Sequence, residues 1–167
     1  PATNSVAVPI YQTTSYQFDS TTHASKLFAL QELGNIYTRI MNPTTQVLEE
    51  RLSAIEGGVA ALGVSSGSSA VALAIQNVAS SGDNIIASPH LYGGTYNLFT
   101  NTLRQMGIEV RVSHPANAET FADISDEKTR AYFVETLPNP RFVPFPIAEV
   151  AAIGRPPLLQ TPCDFLA

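Results

Sequence analysis

Ser81-Gly82-Asp83-Asn84-Ile85-Ile86-Ala87-Ser88-Pro89-His90-Leu91-Tyr92-Gly93-Gly94 is the stretch that decides the fold. A polar turn leads into a short apolar strand, Ile85-Ile86-Ala87, in which nothing polar alternates. Such a strand is buried on both faces, as in parallel sheets covered by helices. After Gly93-Gly94, the spacing of Leu98, Phe99, Leu103 and Met106 predicts a helix that Gly107 stops. Strands are predicted at Ile108–Val112 and Ala131–Val134 with a polar stretch between them, and a helix over 146–153 after a Pro-rich turn. Upstream, the apolar run Val59–Val64 reads as another strand, followed by Ser65-Ser66-Gly67-Ser68-Ser69 and an Ala/Val/Leu/Ile-rich helix to about Ala79. Strands alternating with helices give an α/β domain with a mainly parallel sheet covered on both faces.

Before this regular region, Asn42 suits a helix cap and Pro43 a first helical position. Val47, Leu48, Leu52 and Ile55 make one stripe of that helix, and Gly57-Gly58 close it. Leu27, Leu30 and Leu33 predict a short helix over 24–33, ended by Gly34. Residues 1–24, rich in Thr, Ser and Pro, read as an extended arm that needs another surface to lie on. The expected organisation is an arm with a short helix over 1–42 and an α/β domain over 43–167.

Of the 167 residues, 44% are hydrophobic and 14% charged, which suits a globular chain. With nine basic residues, a net charge of −5 and no basic tract, nucleic acid and anionic membranes are not expected partners. No apolar run approaches the roughly 20 residues that span a bilayer. The start, Pro-Ala-Thr-Asn, has no basic region or apolar core of a secretory signal, and Pro1 in place of methionine suggests a processed or cut chain. The single cysteine, Cys163, allows no internal disulfide or cysteine-based metal cluster and fits a reducing, cytoplasmic setting.

In open α/β sheets a ligand sits beyond the carboxyl ends of the strands, where the polar clusters of this chain fall. Ser65–Ser69 joins a strand to a helix start, where N–H groups, hydroxyls and the helix dipole suit a phosphate. The same loop also serves as a plain cap and turn. There is no Walker-type lysine and no Gly-x-Gly-x-x-Gly. Tyr92, just before a flexible turn, could stack on a planar ligand or pack on the surface. His90 has no carboxylate near it in sequence. Prolines on both sides of Asn139 present a carboxamide rigidly, or make a turn into the next helix. Tyr37 and Arg39 lie in Gly34–Thr45, before a helix rather than after a strand, so they need not serve their own subunit's pocket. An unliganded Tyr–Arg surface pair is the alternative.

The order of these clusters carries a resemblance. Val8-Pro9-Ile10-Tyr11-Gln12-Thr13-Thr14-Ser15-Tyr16, Leu27-Phe28-Ala29-Leu30 and Tyr37-Thr38-Arg39-Ile40-Met41-Asn42-Pro43-Thr44 resemble the amino-terminal part of the O-acetylhomoserine sulfhydrylases, among the pyridoxal-phosphate enzymes of cysteine and methionine metabolism. Related cystathionine synthases and lyases usually read Tyr-Ser-Arg at that place. The resemblance runs from about Ser5 to about Arg155. It implies part of a fold type I, aspartate-aminotransferase-like large domain that binds pyridoxal phosphate. Tyr37 and Arg39 would reach the cofactor phosphate of a neighbouring subunit in a homo-oligomer. Gly67 and the N–H of Ser68 would hold the phosphate of their own subunit, Tyr92 would stack on the pyridine ring, and Asn139 would bond its phenolic oxygen. Ser68 departs from the Gln or Met usual there, which spares a backbone contact but not side-chain packing.

After Arg155 the family's strand ending in Asp is replaced by a divergent tail over 156–167, and Asp164 does not inherit that role. The Schiff-base lysine would lie beyond Ala167, and neither Lys26 nor Lys128 suits as a substitute. The implied parent enzyme makes homocysteine or methionine from O-acetylhomoserine and sulfide or a thiol. The present chain is expected to be a truncated, inactive form with no catalytic residue and no metal. The alternatives are a non-catalytic cofactor-binding or subunit-pairing module, a lyase such as cystathionine γ-synthase or methionine γ-lyase, and a doubly wound domain for another phosphate ligand.

Overall fold

The computed structural model describes residues 4–153, so the divergent tail over 156–167, with Cys163 and Asp164, lies outside the described residues. Two compact units divide the chain, one ending at Gly63 and the other beginning at Val64. This boundary differs from the expected one at residue 42. The helix at Pro43 goes with the arm because its first turn is bound to it: Tyr11 N donates to Thr44 Oγ1 (2.9 Å) and Thr44 Oγ1 to Pro9 O (2.8 Å).

In the unit beginning at Val64, β1 (Asn84–Ala87) is central, with β2 (Glu109–Val112) and β3 (Thr129–Phe133) parallel on either side. Its register sets Ile85 beside Val110 and Ala131. Two left-handed glycines launch the first two strands. Gly82 (φ 94) donates its N–H to the carbonyl of Gly107 (φ 79) at 2.8 Å, so the turn before β1 and the turn before β2 are tied together. Alternate residues of β1 face opposite ways, and all four are buried. Ile85 and Ala87 enter a core with Val71, Ile75, Phe99, Leu103 and Phe133, where the Phe99 and Phe133 rings meet edge to face at 4.9 Å. Ile86 enters a second core with Phe121 and Val150.

The first core is covered by α3 (Gly67–Val78) and by a longer helical stretch. That stretch runs as α4 (Gly93–Asn97), a π-helical turn (Leu98–Thr102) and α5 (Leu103–Gln105). The second core is covered by α6 (Ala118–Asp123) and α7 (Ile147–Ile153). The α/β architecture with a parallel sheet between helices thus follows the expectation. The π-helical turn and α6 do not, since residues 113–128 read only as a polar stretch. Asn117 starts α6 by accepting from Thr120 N at 2.9 Å, and Phe121 is its one buried residue.

In the unit ending at Gly63, α2 (Pro43–Glu56) has the predicted bounds, with Asn42 accepting from Thr44 N and Gly57 (φ 67) closing it. None of its residues is buried, so the stripe Val47, Leu48, Leu52 and Ile55 is exposed. The first helix, α1 (Thr21–Phe28), starts and ends earlier than 24–33, because Ser20 caps it and Leu30 turns left-handed (φ 55). The expected strand over 59–64 is absent: a strand needs a ladder, and the pairing in this unit is the isolated antiparallel bridge Ser15–Tyr37.

A polar clamp holds the amino ends of the three strands. Buried Asn84 donates Nδ2 to Asp126 Oδ1 (2.8 Å) and accepts at Oδ1 from Thr129 Oγ1 (2.7 Å). Arg111 of β2 reaches Asp126 Oδ2 at 2.8 Å. The Asn84 hydrogen bond first, then that from Arg111, draws the Asp126 carboxyl down from 3.8 to about 2. A carboxylate depressed on folding stabilises above its unfolded pKa, and the gain is lost as pH falls through the folded value. Wild-type thermal midpoints are therefore expected to fall between about pH 5 and 2. Asp126→Asn should lower the midpoint at neutral pH and flatten that acid fall; an unaltered slope in a melting series at stepped pH would remove Asp126 from the clamp.

Candidate active site

The tight turn through Gly82 sends β1 back along α3, so the amino terminus of α3 lies at the carboxyl end of the sheet. Ser66 caps it in extended conformation, its Oγ accepting from Ser69 N (3.1 Å) and lying 2.9 Å from Ser69 Oγ. Ser65 Oγ is 3.3 Å from the same hydroxyl. The hydroxyls are thus engaged with one another and with the cap. The N–H groups of Gly67 and Ser68 find no acceptor among the described residues, and both residues are exposed. A β-carbon at Gly67 would meet nothing within 4 Å. Two free donors of a 12-residue helix, facing open space on its positive end, suit an anion of phosphate size.

Leu91 is buried in the same core as Val71 of α3, and the next residue, Tyr92, is 55% exposed at the start of α4. Its ring overlies Gly94, where a β-carbon would stand 2.6 Å from Tyr92 Cε1. Ser88, buried at the end of β1, donates N–H to Phe133 O (3.0 Å) and accepts at Oγ from His90 N (3.1 Å), which fixes the path toward Tyr92. Beyond β3, Asn139 is exposed in a turn closed by Phe142 N donating to Pro138 O at 2.7 Å. Gly67, Ser68, Tyr92 and Asn139 therefore share one end of one sheet, each exposed.

Glu135, four residues before Asn139, carries no motif of its own in the sequence. It accepts from Tyr92 N at Oε1, 2.7 Å, across 43 residues of chain. No local pattern reveals a partner that distant.

Tyr37 and Arg39 belong to the other unit. The Arg39 guanidinium stands 5.6 Å from the Tyr37 ring centroid, and Tyr37 is 40% exposed. The arm brackets this pair: Tyr16 N donates to Ile36 O (3.3 Å), Thr38 N to Thr14 O (2.8 Å) and Thr38 Oγ1 to Thr13 O. Buried Asn42 donates Nδ2 to both Tyr11 O (2.9 Å) and Thr38 Oγ1 (3.1 Å). Tyr11, Gln12, Thr13, Thr14 and Thr38 line a shallow concavity beside it. Among the described residues, no helix is long and apolar enough to cross a membrane, and no three His, Cys, Asp or Glu side chains gather as a metal site would require.

A sequence model of the family described as Cys/Met metabolism PLP-dependent enzyme matches residues 1–159. An O-acetyl-L-homoserine sulfhydrylase of Leptospira meyeri is 53% identical over 93% of this chain and 35% of its own length. One of Thermus thermophilus is 57% identical over 84% of this chain and 34% of its own. Among solved structures, one from Campylobacter jejuni, provisionally assigned as an O-acetylhomoserine (thiol)-lyase and containing N'-pyridoxyl-lysine-5'-monophosphate, aligns at a TM-score of 0.85 with 42% identity. It covers 92% of this chain and 38% of that one. The chain thus spans about a third of the length of the curated relatives it matches.

Proposed function

The chain belongs to the Cys/Met metabolism PLP-dependent enzyme family, and from that premise we propose that it is the cofactor-gripping amino-terminal part of an O-acetylhomoserine sulfhydrylase. The observation that carries the reading is the open amino terminus of α3, with the N–H groups of Gly67 and Ser68 unengaged among the described residues, at the same end of the sheet as Tyr92 and Asn139. These residues fit pyridoxal phosphate. Gly67 and Ser68 hold its phosphate, the Tyr92 ring covers its pyridine face, and the Asn139 carboxamide donates to its phenolic oxygen. When bound, the cofactor supplies an electron sink for the substrate's carbanion. The parent reaction replaces the acetate of O-acetylhomoserine with sulfide or a thiol at the γ-carbon, giving homocysteine or methionine.

Tyr37 and Arg39, pre-paired and bracketed by the arm, contribute to the phosphate site of a neighbouring copy, so the working form is a homo-oligomer. Guanidinium and phenol suit that task, since both donate to phosphate oxygens. No residue here is assigned the proton transfers at substrate carbon. Lys26 lies in α1, 3.9 Å from Glu32, and Lys128 precedes β3 at the amino end of the sheet, opposite Tyr92. Gly67, Ser68, Tyr92 and Asn139 therefore bind the cofactor without themselves supplying turnover. A single cysteine is compatible with a reducing cytoplasm.

Titration with pyridoxal phosphate and with pyridoxal, followed by borohydride reduction and peptide mapping, tests this. Saturable binding is expected, weaker by about tenfold or more for pyridoxal, which lacks the charge-assisted phosphate bonds. No lysine should be trapped. Equal affinity for the two ligands would remove the phosphate site, and stoichiometric reduction of Lys26 or Lys128 would return covalent chemistry to these residues.

A further inference from the structure

Two loops at the carboxyl end of the sheet must face one ligand, one carrying Tyr92 after β1 and one carrying Asn139 after β3. Beyond the end of the strand ladder, among the described residues, they are joined by the hydrogen bond from Tyr92 N to Glu135 Oε1 (2.7 Å). The charge on the acceptor makes this bond stronger than one to a carbonyl. Its donor is the backbone of the very residue whose ring is exposed. On the other side, Gly94 leaves the space the ring occupies, since a β-carbon there would stand 2.6 Å from Tyr92 Cε1. The Tyr92 backbone is therefore held by a carboxylate, and its ring lies in space that any side chain at position 94 would take from it.

We propose that Glu135 is a positioning residue, which sets the pose of the Tyr92 ring relative to the Asn139 turn without itself touching the ligand. This rests on the reading of Tyr92 as the surface on which the pyridine ring stacks. Glu135 stands four residues before Asn139 on the same stretch after β3, so its grip on Tyr92 N couples the two contacts. Free, each loop would sample poses, and the ligand would bear the cost of aligning them.

The test compares Glu135→Ala, Glu135→Gln, Tyr92→Ala and the Glu135→Ala/Tyr92→Ala pair, each with its thermal midpoint checked. Two readouts are taken: pyridoxal phosphate affinity, and the ring resonances of carbon-13-labelled tyrosine, assigned with Tyr92→Phe. Glu135→Ala is expected to move the Tyr92 ring resonances in the ligand-free protein and to weaken binding about tenfold. Glu135→Gln, which keeps an oxygen acceptor, should restore most of both. In the Tyr92→Ala background, Glu135→Ala should cost nothing further, because its route to the ligand is gone.

Unmoved ring resonances would overturn the proposal. So would a binding loss that persists without the tyrosine ring, which would mean that Glu135 acts through the Asn139 turn or on the ligand itself and not through the ring. If Tyr92→Ala leaves affinity unchanged, the stacking reading itself fails, and the ring resonances alone then decide whether Glu135 sets the pose.

Discussion

Gly67→Glu is expected to weaken pyridoxal phosphate binding by about 100-fold while leaving the thermal midpoint unchanged or slightly raised. The two effects have opposite signs because they come from one property of the site. A carboxylate at the first position of α3 meets the positive end of the helix, which stabilises by roughly 0.3–1 kcal/mol at exposed positions. The new side chain points into open space, since a β-carbon at Gly67 meets nothing within 4 Å, so folding has no clash to absorb. A phosphate bound at the same N–H groups would face a like charge within its own volume, and the 100-fold loss corresponds to about 2.7 kcal/mol. Calorimetric titration beside a melting curve reads both quantities on one sample. Unchanged affinity would mean that α3 does not hold the phosphate. A fall in both affinity and midpoint would mean that Gly67 is structural.

The second large effect concerns stability. Phe121→Ala should cost about 3–5 kcal/mol, the range for deleting a fully buried aromatic ring. Phe121 is fully buried, with the Tyr132 ring at 5.3 Å and the Phe145 ring at 5.6 Å. Among the described residues it is one of three buried hydrophobic residues in the core on its face of the sheet, beside Ile86 and Val150. The larger core opposite has more buried neighbours to close around a void. A whole domain commonly has about 5–15 kcal/mol, so this deletion would remove a large share of it. Urea denaturation would measure the loss, and a cost below about 1 kcal/mol would show that α6 does not anchor that face.

The contrast between Phe121 and Ile85 shows what could be read before any coordinates. Ile85-Ile86-Ala87 announces a strand buried on both faces because every position is apolar, and all of β1 is buried. The helix at Pro43 was legible to its bounds, since Asn42, Pro43 and Gly57 each act through local backbone chemistry. α6 was not legible: it spans six residues with Phe121 alone buried, too few for a 3.6-residue period to show. The run Val59–Val64 misled for the opposite reason, because apolar character states a preference for burial and says nothing of whether a ladder partner exists. In the proposed site, Gly67, Tyr92 and Asn139 stand out in the sequence by residue type and by position after a strand or before a helix. Glu135 does not, because what distinguishes it is a contact with the backbone of a residue 43 positions away in sequence.

The central place of β1 also carries an expectation about the order of folding. Asn84 pairs with Glu109 on one side and with Thr129 on the other, so the second closure spans nearly twice as much chain as the first. Loop-closure entropy makes the longer one costlier by about 0.5 kcal/mol. The β2 edge of the sheet is therefore expected to form first, and the layer holding Phe121, which packs on Tyr132 of β3, to consolidate later. Most of what Phe121→Ala loses is then expected in a faster unfolding rate, with refolding in stopped-flow traces nearly as fast as wild type.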